Sequence, residues 1–350
     1  MSPGIASRGD EARLEQAVSA LRRIAFLLER AQASAYRSAA FRAAAQAVER
    51  LSPAELARRI TGGSLTELAS VGARTAGVVE LAWRGKDVPY LVELERGAAD
   101  PPLDPAAAAL RTALRGDLHA HSEASDGATS IQEMLLASLQ VGHAYQAITD
   151  HSPRLTVANG LSAARLRSQI RQIAALNRAV APFRVLTGIE VDILDDGALD
   201  QEDRLLGELD VVVASVHSQL RMDRAAMTRR MIAAVRNPRT DVLGHCTGRR
   251  LTGRERPQSE FDARAVFAAC AEHGVAVEIN CRPDRLDPPH DLLALAADAG
   301  CDFAIDTDAH APGQLEWQGV GCARAAAHGI TADRVVNTWP VDRLLDRTHR

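Results

Sequence analysis

Six of the chain's eleven histidines stand where a short apolar run ends, beside a carboxylate or in register with one. The runs are Gly116-Asp117-Leu118-His119-Ala120-His121, Ala147-Ile148-Thr149-Asp150-His151, Val185-Leu186-Thr187-Gly188-Ile189-Glu190, Val211-Val212-Val213-Ala214-Ser215-Val216-His217, Val242-Leu243-Gly244-His245 and Ala304-Ile305-Asp306-Thr307-Asp308-Ala309-His310. From Leu114 onward, strand-like stretches near 116–121, 145–150, 184–190, 209–216, 241–245, 275–280 and 302–308 alternate with amphipathic or alanine-rich ones at 130–142, 161–181, 224–236, 261–273 and 290–299. Strands alternating with helices call for a parallel sheet with right-handed crossovers. Seven such units close into a barrel, and a barrel gathers the C-terminal ends of its strands at one mouth. The six histidines all fall at that end.

Histidine and carboxylate side chains bind borderline and hard divalent metals, so their recurrence predicts a polynuclear metal site at the barrel mouth. His119 and His121 are two apart and leave the same face of one strand. Asp126-Gly127 follows on a loop that can fold back over the mouth. Glu190 ends its strand after Gly188, and a carboxylate there can bridge two ions. Asp308-Ala309-His310 repeats the two-residue spacing at the last strand. The other histidines lack the pattern: His143, His273 and His328 sit beside glycine near helix ends, where capping or the helix dipole accounts for them. His290 reads as a helix start, and His349 lies in the tail.

Ahead of the barrel, residues 11–60 carry apolar positions at helical spacing (Ala17, Leu21, Ile24, Ala25, Leu28, then Phe41, Ala44, Val48, Leu51) and predict three or four short helices. Ser52-Pro53-Ala54-Glu55 reads as an N-cap, a first-turn proline and a capping-box glutamate. Residues 64–79 predict two helices around a tight glycine turn; the segment resembles a helix-hairpin-helix in which Ser70 stands where the first glycine is usual, and a plain helical corner is the alternative. Backbone N–H groups at Val71 and Gly72, with Arg74, are the candidates for a DNA-phosphate contact. The three prolines of GAADPPLDP mark a boundary. The expected division is a helical domain at 1–98, a linker at 99–113 and a metal-binding domain at 114–350. Residues 1–60 hold ten arginines against six acids in a chain whose net charge is −4, a mild bias toward phosphates.

The five cysteines (Cys246, Cys270, Cys281, Cys301, Cys322) make no CxxC pair, which argues against a disulfide framework and a thiolate zinc site. No apolar run approaches the roughly 18 residues that span a bilayer, and residues 1–10 lack a signal peptide's hydrophobic stretch. The expectation is a cytoplasmic protein with no membrane partner.

The series DLHAHSEASDG, ITDHS, GIEVDIL, ASVHS, GHCTGR and IDTDAH resembles the motif set of the PHP (polymerase and histidinol phosphatase) domain. More narrowly, the stretch from VVASVHSQLRMD to GHCTGRRL, with EINCRPDRLD and VVNTWPVDRLL, is similar to the PHP domain of bacterial family X DNA polymerases. YRSAAFRAAAQAVERL and the degraded hairpin resemble the same polymerases' amino-terminal domain. The resemblance implies a distorted (β/α)7 barrel preceded by a small all-α domain. It also implies three metal positions: His119, His121, Glu190 and Asp308 at the first, Glu190, His217 and His245 at the second, Asp126, His151 and His310 at the third. Asp150 is expected behind His151, bonded to the ligands rather than to an ion.

Two departures qualify that resemblance. The catalytic palm of a family X polymerase would lie between the two matching blocks, yet only about 15 residues join them where a domain needs on the order of 50. No nucleotidyl transfer is expected. The Schiff-base lysine of lyase-competent members would fall at Val78, and Lys86, the chain's one lysine, is out of register.

Closely spaced divalent ions, zinc or manganese by this ligand set, lower the pKa of a shared water and neutralise phosphoryl oxygens. The expected activity is phosphoester hydrolysis on DNA ends or nucleotides, of exonuclease, 3′-phosphatase or abasic-endonuclease type. Glu190, Asp308, His310 and Arg249 are the catalytic candidates. Arg249 and then Arg154 are the substrate-phosphate candidates, ahead of Arg282 and Arg285. A low aromatic content of 3% offers few stacking platforms for bases. The alternatives are a small-molecule phosphatase of the histidinol-phosphatase kind, with the helical domain as lid or dimer interface, and a non-catalytic DNA- or protein-binding module with structural metals.

Overall fold

A computed structural model describes residues 8–98 and 101–348, so His349 lies outside the described residues. The chain divides into two compact units, Met1–Pro101 and Pro102–Arg350. Among the described residues no helix is long and apolar enough to cross a membrane.

The first unit is all helix: α1 (Arg8–Arg30), α2 (Ala35–Glu49), α3 (Pro53–Gly62), α4 (Ala73–Trp83) and α5 (Pro89–Gly97). The 3.6-residue periodicity of α1 buries Ala17, Leu21, Ile24, Ala25 and Leu28 against Phe41, Ala44 and Val48 of α2. Helix α3 begins as its sequence dictates, with Ser52 Oγ accepting from the Glu55 N–H at 3.2 Å and Pro53 in the first turn. It ends at Gly63 in the left-handed region. The segment 64–79 departs from the expected pair of helices. Its first limb is one 3-10 turn, Leu65–Glu67, and only the second is α-helical. Ser70 has φ +68°, the conformation that makes glycine usual at that position.

The second unit opens with α6 (Pro105–Ala113), inside the stretch expected to be linker. Asp104-Pro105 is a helix start rather than a break, because the Asp104 carboxylate caps the N–H groups of Ala106 and Ala107 at 2.9 Å and the proline needs no N–H in the first turn. Then strand and helix alternate: β1 (Gly116–Asp117), α7 (Ile131–Gln140), β2 (Tyr145–Ile148), α8 (Ala163–Val180), β3 (Arg184–Asp192), α9 (Asp203–Leu206), β4 (Val211–Ser215), α10 (Arg224–Val235), β5 (Val242–Leu243), α11 (Ala263–His273), β6 (Ala276–Asn280), α12 (His290–Asp298), β7 (Phe303–Asp306), α13 (Gln318–Ala327) and α14 (Val341–Thr348). The seven strands pair in parallel in chain order. A parallel bridge between Ala120 and Ala309 brings the first strand segment against the last, giving a distorted (β/α)7 barrel.

Alternation along the strands explains the interior. Leu186, Val211, Val213, Ala276 and Ala304 form a buried apolar cluster with Tyr145, covered by Val336, Trp339 and Leu344 near the carboxyl terminus. Two or four residues further along the same strands, the same face carries Glu190, Ser215, His217, Glu278, Asn280, Asp306 and Asp308. Room there is short. A Cβ on Gly244 would lie 2.3 Å from Ser215 Oγ, and one on Gly188 2.8 Å from Thr149 Cγ2. The outer face of the sheet packs on the helices through Ile189, Val191, Val212, Leu243, Val277 and Ile305.

Candidate metal centre

Glu190 is the hub. Its Oε2 lies 2.8 Å from His151 Nδ1, 3.4 Å from His119 Nε2 and 3.6 Å from His121 Nε2, and its Oε1 lies 2.8 Å from His245 Nε2 and 3.2 Å from His217 Nε2. Glu190 does not end its strand as expected. Strand β3 continues to Asp192 because it pairs with β4 through Asp192–Ser215. His119 and His121 lie beyond the short strand β1, held by the Ala120 bridge and by the His121 N–H donating to Ala309 O at 2.8 Å.

Asp308 joins the inner group, with Oδ1 3.3 Å from His121 Nε2 and 3.9 Å from His119 Nε2. Asp126 Oδ1 gathers a second set: His310 Nε2 at 3.4 Å, His151 Nε2 at 3.5 Å and His121 Nδ1 at 3.9 Å. Among the described residues, three donor groups have ligand atoms mutually close enough for one ion each: His121, Asp126, His151 and His310; His119, His121 and Glu190; His151, Glu190 and His217. The inner side chains are sealed, with Glu190 and Asp308 only 1% and 2% exposed, while Asp126 at 36% and His310 at 22% form the open rim.

Carboxylates behind the cluster fix its histidines. Glu278 Oε1 lies 2.6 Å from His119 Nδ1, and Asp192 makes a short hydrogen bond with His217 Nδ1. With Nδ1–H directed at these partners, Nε2 of both rings faces Glu190, and positive charge, a proton or a metal ion, has to lie between ring and carboxylate. His119 Nε2, His121 Nε2, His151 Nδ1, His217 Nε2 and Glu190 Oε2 are buried and make no hydrogen bond. Orphaned donors of this kind, with no thiolate among them, fit a divalent ion. The constellation is divalent-metal-binding.

Electrostatics agree. Burial alone would lower the His119 pKa, but the charges of Glu278, Glu190 and Asp308 hold it well above the usual value. Burial is likewise outweighed at His217, where Glu190 and Asp192 push the pKa up to about 9. Burial together with His310 and His151 drives His121 down to about 3. Glu190 is held well below the carboxylate range, since His217, His151 and His119 overcome the effect of burial. The centre of the cluster demands positive charge.

Asp150 accepts from the Ser122 N–H at 2.8 Å, Ser122 Oγ at 2.6 Å and Gln169 Nε2 at 2.6 Å, none of which is a proposed ligand. The arginines differ from expectation. Arg249 Nε donates to Arg285 O at 2.9 Å and its Nη2 to Leu286 O, so its guanidinium caps backbone carbonyls. Arg154 is exposed, and its N–H donates to Asp200 Oδ2 at 2.6 Å. The guanidinium groups that reach the cluster are those of Arg282, with Nη1 3.2 Å from His310 Nδ1 and 3.6 Å from Asp308 Oδ1, and Arg285, with Nε 3.3 Å from Asp308 Oδ2. Arg285 is 9% exposed, and its Nε and Nη1 are buried without a hydrogen bond.

Glu278, Asp192 and Asn280 are the residues that sequence reading missed. The signal was parity: Glu278 and Asn280 interrupt an otherwise apolar buried strand on one face, and Asp192 shares the face of Glu190. In the helical unit, Val71 is buried and the N–H groups of Val71 and Gly72 are already bonded, to Leu68 O at 3.1 Å and Thr75 Oγ1 at 3.0 Å. Arg74 is exposed, its guanidinium 5.5 Å from the centre of the Tyr90 ring. The His143 backbone N–H caps the end of α7, donating to Ser138 O at 3.0 Å, while its ring does not. The ring is buried between Ser138 Oγ at 2.9 Å and Gln318 Oε1 at 2.8 Å.

Residues 117–282 match the PHP domain. The chain is 41% identical over 224 residues to the DNA polymerase/3′-5′ exonuclease PolX of Bacillus subtilis (strain 168), an alignment that covers 64% of this chain and 39% of that relative's length. A "probable phosphatase" of Edwardsiella ictaluri (strain 93-146) is 30% identical over 204 residues, covering 55% of this chain and 78% of the relative. Among solved structures, a histidinol phosphate phosphatase of Lactococcus lactis, complexed with zinc, L-histidinol and phosphate, covers 62% of this chain and 93% of its own at 18% identity and a TM-score of 0.43. That last likeness is too distant to bear on function. The match over the motif-bearing strands and the extent of the phosphatase alignment place this chain in the PHP-domain family.

Proposed function

We propose that this chain is a divalent-metal-dependent phosphoesterase acting on DNA ends or nucleotides, by 3′-5′ exonuclease, 3′-phosphatase or abasic-endonuclease chemistry. The observation that carries the reading is the convergence of unpartnered imidazole nitrogens on Glu190 at a barrel mouth. Three ions, zinc or manganese, would be held by His119, His121, Glu190 and Asp308, by Glu190, His217 and His245, and by Asp126, His151 and His310. Ions bound there supply the activation of water and neutralise charge on phosphoryl oxygens.

The protein's own groups do the rest. Glu278 and Asp192 hold His119 and His217 in one tautomer each, and Glu190, reaching five rings, fixes their spacing. Arg282 and Arg285 line the rim side of Asp308, where their donors are placed to orient the phosphoryl oxygens and to offset charge as the leaving oxygen departs. Asp126 and His310, on the exposed rim, stand where a substrate enters.

DNA is the proposed partner of the helical unit, through the exposed Arg74 side chain rather than through the bonded N–H groups of Val71 and Gly72. No polymerase activity accompanies this reading, because the join between the two units, where a palm would lie, is far shorter than a domain. A second reading, a small phosphomonoester as substrate, is favoured by the likeness to the Edwardsiella protein, which is named a phosphatase.

The test is a substrate panel of p-nitrophenyl phosphate, mononucleotides, 3′-phosphorylated DNA, abasic DNA and single-stranded DNA, with Mn²⁺ or Zn²⁺. Turnover lost in His119→Ala is expected. Failure of the metal-loaded protein to turn over any ester overturns the proposal, and turnover confined to monoesters selects the second reading.

A further inference from the structure

The loops that follow β4 and β5 leave from the same mouth as His217 and His245 and enclose a cavity of about 700 Å³. Leu220 and Met222 contribute its apolar lining, and Arg221, Arg250, Arg254 and Arg256 its cationic one. The cavity is preformed. The second loop folds back on itself through an antiparallel bridge between Arg250 and Arg256, and Ser259 Oγ ties it to the first by donating to Leu220 O at 2.9 Å.

This cavity is wired to the metal centre. Arg250 Nη2 lies 3.1 Å from Asp284 Oδ2, Asp284 Oδ1 lies 3.1 Å from Arg282 Nε, and Arg282 reaches His310 and Asp308. Arg256 lies close enough to Arg285, Arg250 and Arg254 that their charges add to burial in lowering its pKa. The arginines therefore form a run from Asp308 outward, crowded enough to repel one another. Arg221 and Arg254 at its outer part are exposed.

Acidic groups interleave with these arginines on the same wall. Asp223 caps α10, accepting from the Ala225 and Ala226 N–H groups at 3.1 and 3.0 Å. Glu255 and Glu260 also line the cavity, so the wall offers discrete cationic points rather than a uniformly basic face. Such a wall suits a chain of separated anions better than one small anion. No aromatic ring is among the lining residues, so contact falls on backbone phosphates and not on stacked bases.

We infer that the arginine-lined cavity between the loops after β4 and β5 binds the sugar-phosphate backbone of a single nucleic-acid strand whose terminal phosphate lies at the metal centre. This rests on the phosphoesterase reading for the terminal phosphate, while the binding of the strand is separable from it. The site discriminates an oligonucleotide from a small ester and has no base preference.

The experiment compares the full chain with Arg221→Ser/Arg254→Ser, whose two side chains are exposed, with circular dichroism to check the fold of the variant. Anisotropy of a fluorescent single-stranded dT12 oligonucleotide is read against salt, beside turnover of the same oligonucleotide and of p-nitrophenyl phosphate. The pair is expected to weaken oligonucleotide binding about tenfold and to reduce the slope of log K on log salt by about 1.4, two arginines at about 0.7 each. Loss of kcat/KM on the oligonucleotide should exceed that on p-nitrophenyl phosphate at least as much, with dA12 behaving like dT12. Unchanged binding and salt slope in the pair overturn the inference, as does an equal loss on both substrates. Binding that depends on these arginines without turnover of any ester would leave the cavity assigned and overturn the phosphoesterase reading instead.

Discussion

Glu278 and His119 form a fully buried orienting contact behind the metal centre: Glu278 Oε1 stands 2.6 Å from His119 Nδ1, and neither side chain is exposed. The other carboxylate oxygen accepts the His245 N–H at 2.5 Å and the Asn280 amide at 3.2 Å. One residue on β6 thereby orients a ring from the first strand segment and the backbone of a residue after β5, without being among the grouped donors itself.

Glu278→Gln tests that role. The amide retains the size and one acceptor, but it cannot meet both donors with a charged group. Outer partners of ligating histidines are worth about 10- to 100-fold in metal affinity. Competition of the variant against a chromogenic chelator should show a loss in that range, with the far-ultraviolet circular dichroism unchanged. Equal affinity in variant and parent would mean that His119 is oriented by other contacts.

Metal removal should destabilise the barrel. The cluster buries Glu190 and Asp308 among histidines whose free nitrogens find no partner. A ligand at 100 times its Kd that binds only the folded state adds about 2.7 kcal/mol, which at roughly 2–4 °C per kcal/mol corresponds to about 5–11 °C in Tm for a unit of this size. Calorimetry of the chelated protein with and without Mn²⁺ should show the upper value or more if several ions bind. Glu190→Gln should lose the increment, and a Tm indifferent to metal would contradict the site.

The seven strands and the six ligand-type histidines were legible in the sequence because strand parity repeats the same grammar at each one: apolar residues low in the barrel, His or carboxylate above. Residues whose role depends on a partner far along the chain were not. Arg249 follows His245 and looked poised for phosphate, yet its guanidinium caps the carbonyls of Arg285 and Leu286, a fact set by the fold of the loop after β6. Arg285, sequestered beside Asp308, ranked behind Arg249 and Arg154 in the sequence because nothing local shows that it reaches the cluster. The hairpin at 64–79 misread for a different reason, since Leu65–Glu67 is too short to complete an α-turn before Ser70 reverses the chain.

His143 gives stability a pH dependence of predictable sign. Burial, with a smaller contribution from Arg111, holds its pKa at about 4, down from 6.5. Between pH 6.5 and 4 the unfolded chain takes up a proton that the folded chain refuses. Stability from this group is therefore complete above pH 6.5 and falls as the solution is acidified toward pH 4, by on the order of 3 kcal/mol. His143→Gln, which retains hydrogen bonding to Ser138 and Gln318, should lack that component. Urea midpoints measured against pH for both proteins should diverge across this window, whereas parallel curves would show that His143 titrates normally.

Arg230 supplies the last and strongest case. It lies on α10 with a side chain that is fully buried, and it donates to three backbone carbonyls: Leu194 O at 2.9 Å, Ser218 O at 2.9 Å and Ile193 O at 3.2 Å, with Ser218 Oγ at 3.2 Å. These residues flank Asp192 and His217, the bonded pair at the second proposed ion, so one guanidinium sets the distance between the loops that carry them. Arg230→Ala leaves those carbonyls without donors in a dry interior and should cost about 3 kcal/mol or more. Arg230→Lys restores the charge but not the planar fork, and should recover only part of the stability. Metal affinity should follow, because Asp192 can hold His217 only while their loops keep register. Urea unfolding and chelator competition on both variants decide the matter: a lysine variant equal to the parent in both would show that charge alone, not the fork, holds these loops together.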